Sequence, residues 1–142
     1  MIKPASLRAA IAAAIPTLAN DPDKMTVFID KGSIAATGTK SLSFEYRYTC
    51  NVLLMDFAGD ADDLMIGILA WAREYQPDLV TNWDERPTAI TYEIDILSNT
   101  TADISITIPL TESVVVKFDA GGNRTVIHVD DKPDASLPWV AS

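Results

Sequence analysis

From Ser43 to Leu54 every second residue is apolar: Phe44, Tyr46, Tyr48, Cys50, Val52 and Leu54 alternate with Ser43, Glu45, Arg47, Thr49, Asn51 and, last, Leu53. A period of two marks a strand with one face on a core and the other in water. Past Val52 the alternation fails, because Leu53, Met55 and Phe57 add apolar groups on the second face. The end of this strand is therefore predicted to be covered on both sides. A helix start follows, with Gly59 for a turn, Asp60 as N-cap, and Asp62 and Asp63 in the first turn, where the helix dipole favours negative charge. Over Asp60 to Gln76, residues Ala61, Leu64, Met65, Ile68, Ala72 and Tyr75 share one helix face, whereas Ile66, Leu69 and Trp71 lie largely off it. A helix that is apolar on nearly every side is usually buried on more than one, and a chain this short has few other elements to cover it. A contact with another subunit is the expected second cover.

The same patterning places the remaining elements. Leu7, Ile11, Ile15 and Leu18 recur at helical spacing with Pro4 in a first-turn position, and Pro16 ends or kinks that helix because it lacks the amide that would bond to Ala12. Thr26 to Asp30 and Ser33 to Thr37 are short extended pieces around a turn or bulge at Lys31-Gly32. Ile90 to Ile96 and Ile104 to Leu110 alternate as two strands, joined through the polar turn Ser98-Asn99-Thr100-Thr101 into an antiparallel hairpin. Pro109 suggests an edge or a bulge. Val114 to Phe118 and Thr125 to Val129 form a second hairpin around Gly121-Gly122-Asn123, a ribbon that either reaches a neighbouring subunit or folds on its own sheet. Asp130 to Ser142, with Pro133 and Pro138, reads as a flexible polar tail whose exception is Trp139, which docks on a partner, docks on its own domain, or stays free.

A chain of 142 residues is the length of one domain and buries roughly 70% of its unfolded surface, enough for a core without metal or disulfide support. Cys50 sits in the apolar register of a strand and reads as a small buried hydrophobe. The N-terminal MIKPASLRAAIAAAIPTLA has the cast of a secretory signal, but Arg8 interrupts its apolar run and its spacing is that of an amphipathic helix. No stretch approaches the length of a membrane span. The net charge of −9 argues against a reader of nucleic-acid sequence, which needs Lys and Arg to replace phosphate counterions.

Chemical motifs fail on their own requirements. In DFAGDADD, counted from Asp56 as a calcium loop, Ala61 stands where Gly is needed and Gly67 where a bidentate Glu is needed. His128 is the only histidine and lies in a strand pattern, which leaves no catalytic triad and no zinc cluster. Gly121-Gly122 precedes a strand, not a helix, so it is no phosphate loop. No catalytic, cofactor-binding or metal site is expected.

The order S-L-S-F-E-x-R-Y-T at Ser41 to Thr49, then Asn51-Val52, D-F-x-G-D at Asp56 to Asp60, L-A-W at Leu69 to Trp71, Arg73-Glu74 and Q-P-D at Gln76 to Asp78, resembles the tail completion protein R (GpR) family of contractile-tailed phages. K-P-x-S-L-R at Lys3 to Arg8, G-S-I-A at Gly32 to Ala35, D-I-S-I at Asp103 to Ile106 and L-T-E at Leu110 to Glu112 fit the same family. The likeness runs from about residue 2 to about residue 118, with no convincing match beyond Asp119.

The predicted fold is α+β, a mostly antiparallel sheet with two main helices packed on it, as one domain over residues 1–129 followed by the tail at 130–142. The resemblance implies a tail-terminator-like structural protein, with no cofactor and no enzymatic activity. It would act at the head-proximal end of a phage tail, cap the tube and allow the head to join. Implied partners are further copies of the chain in a ring, the tail tube and head-neck proteins, without membrane or sequence-specific nucleic-acid binding. The expected place is the virion tail, and the host cytoplasm before assembly. Phe57, Ile66, Trp71 and Trp139 are the candidate contact residues. A non-enzymatic adaptor working outside the virion fits the same composition.

Overall fold

The computed structural model describes residues 1–37, 41–82 and 89–129; the tail expected over 130–142, and Trp139 within it, lies outside the described residues. Helix α1 (Lys3–Ala14) stops before Pro16, and two short 3-10 turns lead into strand β1 (Met25–Ala36). Strand β2 (Phe44–Phe57), helix α2 (Ala61–Tyr75), the single-turn helix α3 (Asp78–Thr81) and strands β3 (Thr91–Ile96), β4 (Ala102–Phe118) and β5 (Arg124–Val129) follow. All pairings are antiparallel, in the order β1-β2-β4-β3, and β5 pairs with β4 beside the far half of that strand.

Alternation along the strands builds the core. Tyr48, Cys50, Val52 and Leu54 on β2 stand opposite Leu110, Ile108, Ile106 and Ile104 on β4, and all eight are buried. Leu7, Ile11 and Ile15 from the α1 segment and Leu64, Ile68 and Ala72 from α2 close over them. The opposite sheet face is wet: Asn51 donates to Asp30 at 3.0 Å and accepts from Thr107 at 3.3 Å across three strands.

Two bulges re-aim the strands. The register of β1 slips between Asp30 and Ser33, where Lys31 has φ 52°, so the two expected pieces are one bent strand. The register of β2 slips between Leu54 and Phe57, where Asp56 has φ 50°. This corrects the expectation of a strand end covered on both sides. Met55 is exposed, and the extra residue returns Phe57, an odd position, to the core side.

Strand β4 also differs from expectation, since the two predicted segments, Ile104 to Leu110 and Val114 to Phe118, form one strand, with Pro109 inside it. The amide of Thr111 points away from β2, to Gln76. Alternation then turns the position of Pro109 the same way, toward the side of β4 between the β3 pairing, which ends at Thr107, and the β5 pairing, which begins at Ser113. Its missing N–H interrupts no bond to β2.

Helix α2 begins as its sequence dictates, with Asp60 Oδ1 accepting from the amide of Asp62 at 2.8 Å. It then lies so close to α1 that a Cβ placed on Gly67 would stand 2.7 Å from the Cβ of Ala14. Gly67→Ala is therefore expected to destabilise the fold by about 1–3 kcal/mol despite its better helix propensity, by forcing the helices apart. Urea unfolding checks this, and adding Ala14→Gly is expected to recover most of the loss.

Candidate interaction surface

Among the described residues three polar side chains, Lys3, Gln76 and Glu112, are buried, and all lie where the helix layer ends. Glu112, on the core side of β4, accepts from the Tyr48 hydroxyl at 2.5 Å and from the amide of Ile2 at 2.7 Å. Gln76, just past α2, accepts from Lys3 Nζ at 2.7 Å and from the amide of Thr111 at 3.1 Å, and it donates to Asp78 and Thr111. Among the described residues no buried side-chain nitrogen or oxygen lacks a partner. The network joins the start of α1, the end of α2 and the middle of β4, and its polar groups bond one another. Burial, joined by the Glu112 bond, holds the Tyr48 phenol well above its usual range, and burial pushes the Cys50 thiol up to about 11.

The described residues hold no group of three His, Cys, Asp or Glu side chains that could take a metal. One hollow, of about 520 Å³, runs between α1 and α2 and is floored by small residues such as Ala9, Ala13 and Gly67. Another, of about 410 Å³, lies against Met1, Ile29, Ile34 and Tyr46.

The candidate contact residues separate. Ile66 projects from α2 and is 63% exposed, with Leu69 beside it at 47%. Trp71 and Phe57 do not join them. Trp71 is buried against α1, donating from Nε1 to Ser6 Oγ at 2.9 Å and stacking on Tyr75 at 5.5 Å, and Phe57 is buried by the β2 bulge. Part of the second cover that the sequence assigned to another subunit is thus α1 of the same chain. Trp139 lies outside the described residues.

Other apolar residues remain open that sequence reasoning placed toward the core. On β3, Tyr92, Ile94 and Ile96 stand beside Ile106, Ile104 and Ala102 on the core face, yet they are 60%, 42% and 77% exposed. On the second hairpin Phe118, Val126, Ile127 and Val129 are likewise exposed. For the second hairpin, length was the available signal. Fifteen helical residues span about 22 Å, and seventeen strand residues span about 56 Å, so α2 covers under half of β4.

The described residues form a small α+β domain with internally bonded polar groups and with apolar side chains open on a helix and two outer strands. The chain matches the P2 phage tail completion protein R (GpR) family over residues 1–133 and belongs to that family. The match continues past Asp119, where the sequence motifs had run out. Tail completion protein R of Escherichia phage P2 is 43% identical over 133 residues, covering 94% of this chain and 85% of that relative. No solved structure matches.

The raised Cys50 thiol has a consequence for stability. A group whose pKa is higher folded than unfolded contributes its full share below the unfolded value and loses it as pH rises to the folded value. The contribution of Cys50 is thus intact below pH 9 and lost between 9 and 11. Thermal melting of the wild type is expected to fall more steeply over that window than that of Cys50→Ala, which lacks the thiol.

Proposed function

We propose that this protein completes a contractile phage tail at its head-proximal end, capping the tail tube and making it competent to join the head, as several copies arranged in a ring. Family membership supports the tail completion role. The observation that carries the assembly part is Ile66, a large apolar side chain 63% exposed on the outer side of α2 with no covering element among the described residues. Its partners in this reading are further copies of the chain, the tail tube and the head-neck proteins. The protein resides in the virion tail after a period in the host cytoplasm, with residues 1–129 as the working domain and 130–142 as an extension. It carries out no catalysis. Among the described residues no helix is long and apolar enough to cross a membrane.

The test is negative-stain electron microscopy of lysates from a phage or prophage lacking the gene, with and without added protein. Filled heads beside headless or overlong tails, rescued by the wild-type protein, are expected; normal joined virions in the deletion would overturn the reading and favour an adaptor outside the virion. Ile66→Asp is expected to fold, as judged by circular dichroism, and to fail in rescue. Trp71→Asp would disturb the α1–α2 packing first and reports on stability instead.

A further inference from the structure

We propose that the tip of the β4–β5 hairpin of one copy docks into the open cleft between α2 and β3 of a second copy. The inference rests on the oligomeric reading above and names the two surfaces that it requires.

The cleft follows from how the helices sit. α1 bonds to β1 through Arg8, which donates to the carbonyl of Met25, and it flanks α2 on the side of Gly67 and Trp71. At 100° per residue, the opposite flank of α2 carries Met65 and Leu69, with Ile66 at its upper edge. With α1 at the β1 margin and strand order β1-β2-β4-β3, that flank lies toward the β3 side of the sheet, where Tyr92, Ile94 and Ile96 are exposed on the core-side face. The two together offer an apolar wall and an apolar floor.

The tip has the complementary form. Pairing of β4 with β2 ends at Val114 opposite Phe44, whereas pairing with β5 continues to Phe118 opposite Arg124. Beyond Val114 the ribbon is held on the β2 side by a bond from the amide of Val116 to Ser43 Oγ at 3.0 Å. Phe118 and Val126 are exposed on one of its faces and Ile127 on the other. A two-stranded ribbon with apolar groups on both faces is marginal in water unless something packs against it.

Charge selects the pairing. The cleft lies at the end of the molecule that carries Asp56, Asp60, Asp62, Asp63, Asp95 and Asp103, and Lys24 there already lies 3.9 Å from Asp21. The tip carries Lys117 and Arg124. The acid at its turn, Asp119, accepts from the amides of Gly121 and Asn123 at 2.9 and 2.8 Å and keeps its charge, which leaves the tip with two cations against one carboxylate. Like ends therefore repel and unlike ends attract, even in a chain of net charge −9. Because cleft and tip sit at opposite ends of β4, the contact is head to tail, and each docked copy leaves one cleft and one tip free for the next.

Mixing variants tests this directly. The cleft variant Leu69→Asp/Ile96→Asp and the tip variant Lys117→Glu/Arg124→Glu alter exposed side chains only; Leu69→Thr/Ile96→Thr and Lys117→Gln/Arg124→Gln replace either one that circular dichroism shows unfolded. Sedimentation velocity is expected to show concentration-dependent oligomers for the wild type, monomers for each variant, and dimers with nothing larger in an equimolar mixture, since one intact cleft then meets one intact tip. A monomeric wild type, variants that associate as the wild type does, or a mixture that stays monomeric would overturn the inference. If association maps elsewhere while wild-type protein still rescues tails in the lysate, this inference alone falls. If wild-type protein fails to rescue, the tail completion reading falls instead.

Discussion

The carboxyl group of Glu112 lies in the middle of the longest strand, on its core side, where it is buried only because the Tyr48 hydroxyl and the amide of Ile2 both donate to it. Leaving such a group without partners would cost about 1–3 kcal/mol or more. The bond to Ile2 places the start of α1 at that level of the sheet, and Lys3, one residue on, bonds to Gln76 at the end of α2. Both helices therefore stop at the same line across the sheet. On one side of that line lies the main core, and on the other β2, β4 and β5 continue with no helix above them among the described residues. Val114 and Val116 are still buried there, and the apolar surface opens only toward the tip, at Phe118 and Val126.

The second determinant is width. Gly67 lets α1 and α2 approach until Ala14 fills the space a side chain would need. The pair therefore forms a narrow layer, with α1 bonded to β1 at one margin and the far flank of α2 unsupported at the other. The apolar face of β3 is left outside that layer. Polar burial limits the cover along the strands, close helix packing limits it across them, and the two limits leave open surface at the two ends of β4.

Much of this architecture is legible in the sequence. The period of two marks β2, β3 and β4; Asp60 with its following acids marks the start of α2; and Pro16 marks the stop of α1. What escaped depends on geometry that a period cannot carry. A single left-handed residue, Asp56, reverses which parity of β2 faces the core, so Phe57 looked like surface and is core. Trp71 looked unpartnered because the helix that covers it lies some sixty residues earlier in the chain, and Ser6, its hydrogen-bond partner, carries no periodic signal. Pro109 read as an edge or a bulge, and it stands where β4 has no neighbour on one side, since a missing amide matters only on a side where the strand would use it. Of the contact residues read from sequence, Ile66 alone lies open among the described residues.

Acidity gains meaning once it is placed on the fold. A net charge of −9 by itself serves solubility as well as any partner. Its distribution is more specific, because carboxylates gather where β2 ends, α2 begins and β3 meets β4, while Lys117 and Arg124 stand at the other end of β4. A uniformly acidic domain with two apolar patches would bring identical ends together as readily as different ones. A domain polarised along its strands suppresses the like-to-like encounter and favours the unlike one, and only unlike contacts extend into a closed ring. In a ring of the kind proposed, the paired ends would neutralise one another and the remaining surface would keep its excess of acid, which would repel a duplex in the lumen. The polarity that orders the subunits would in this way also leave a conduit that does not hold DNA.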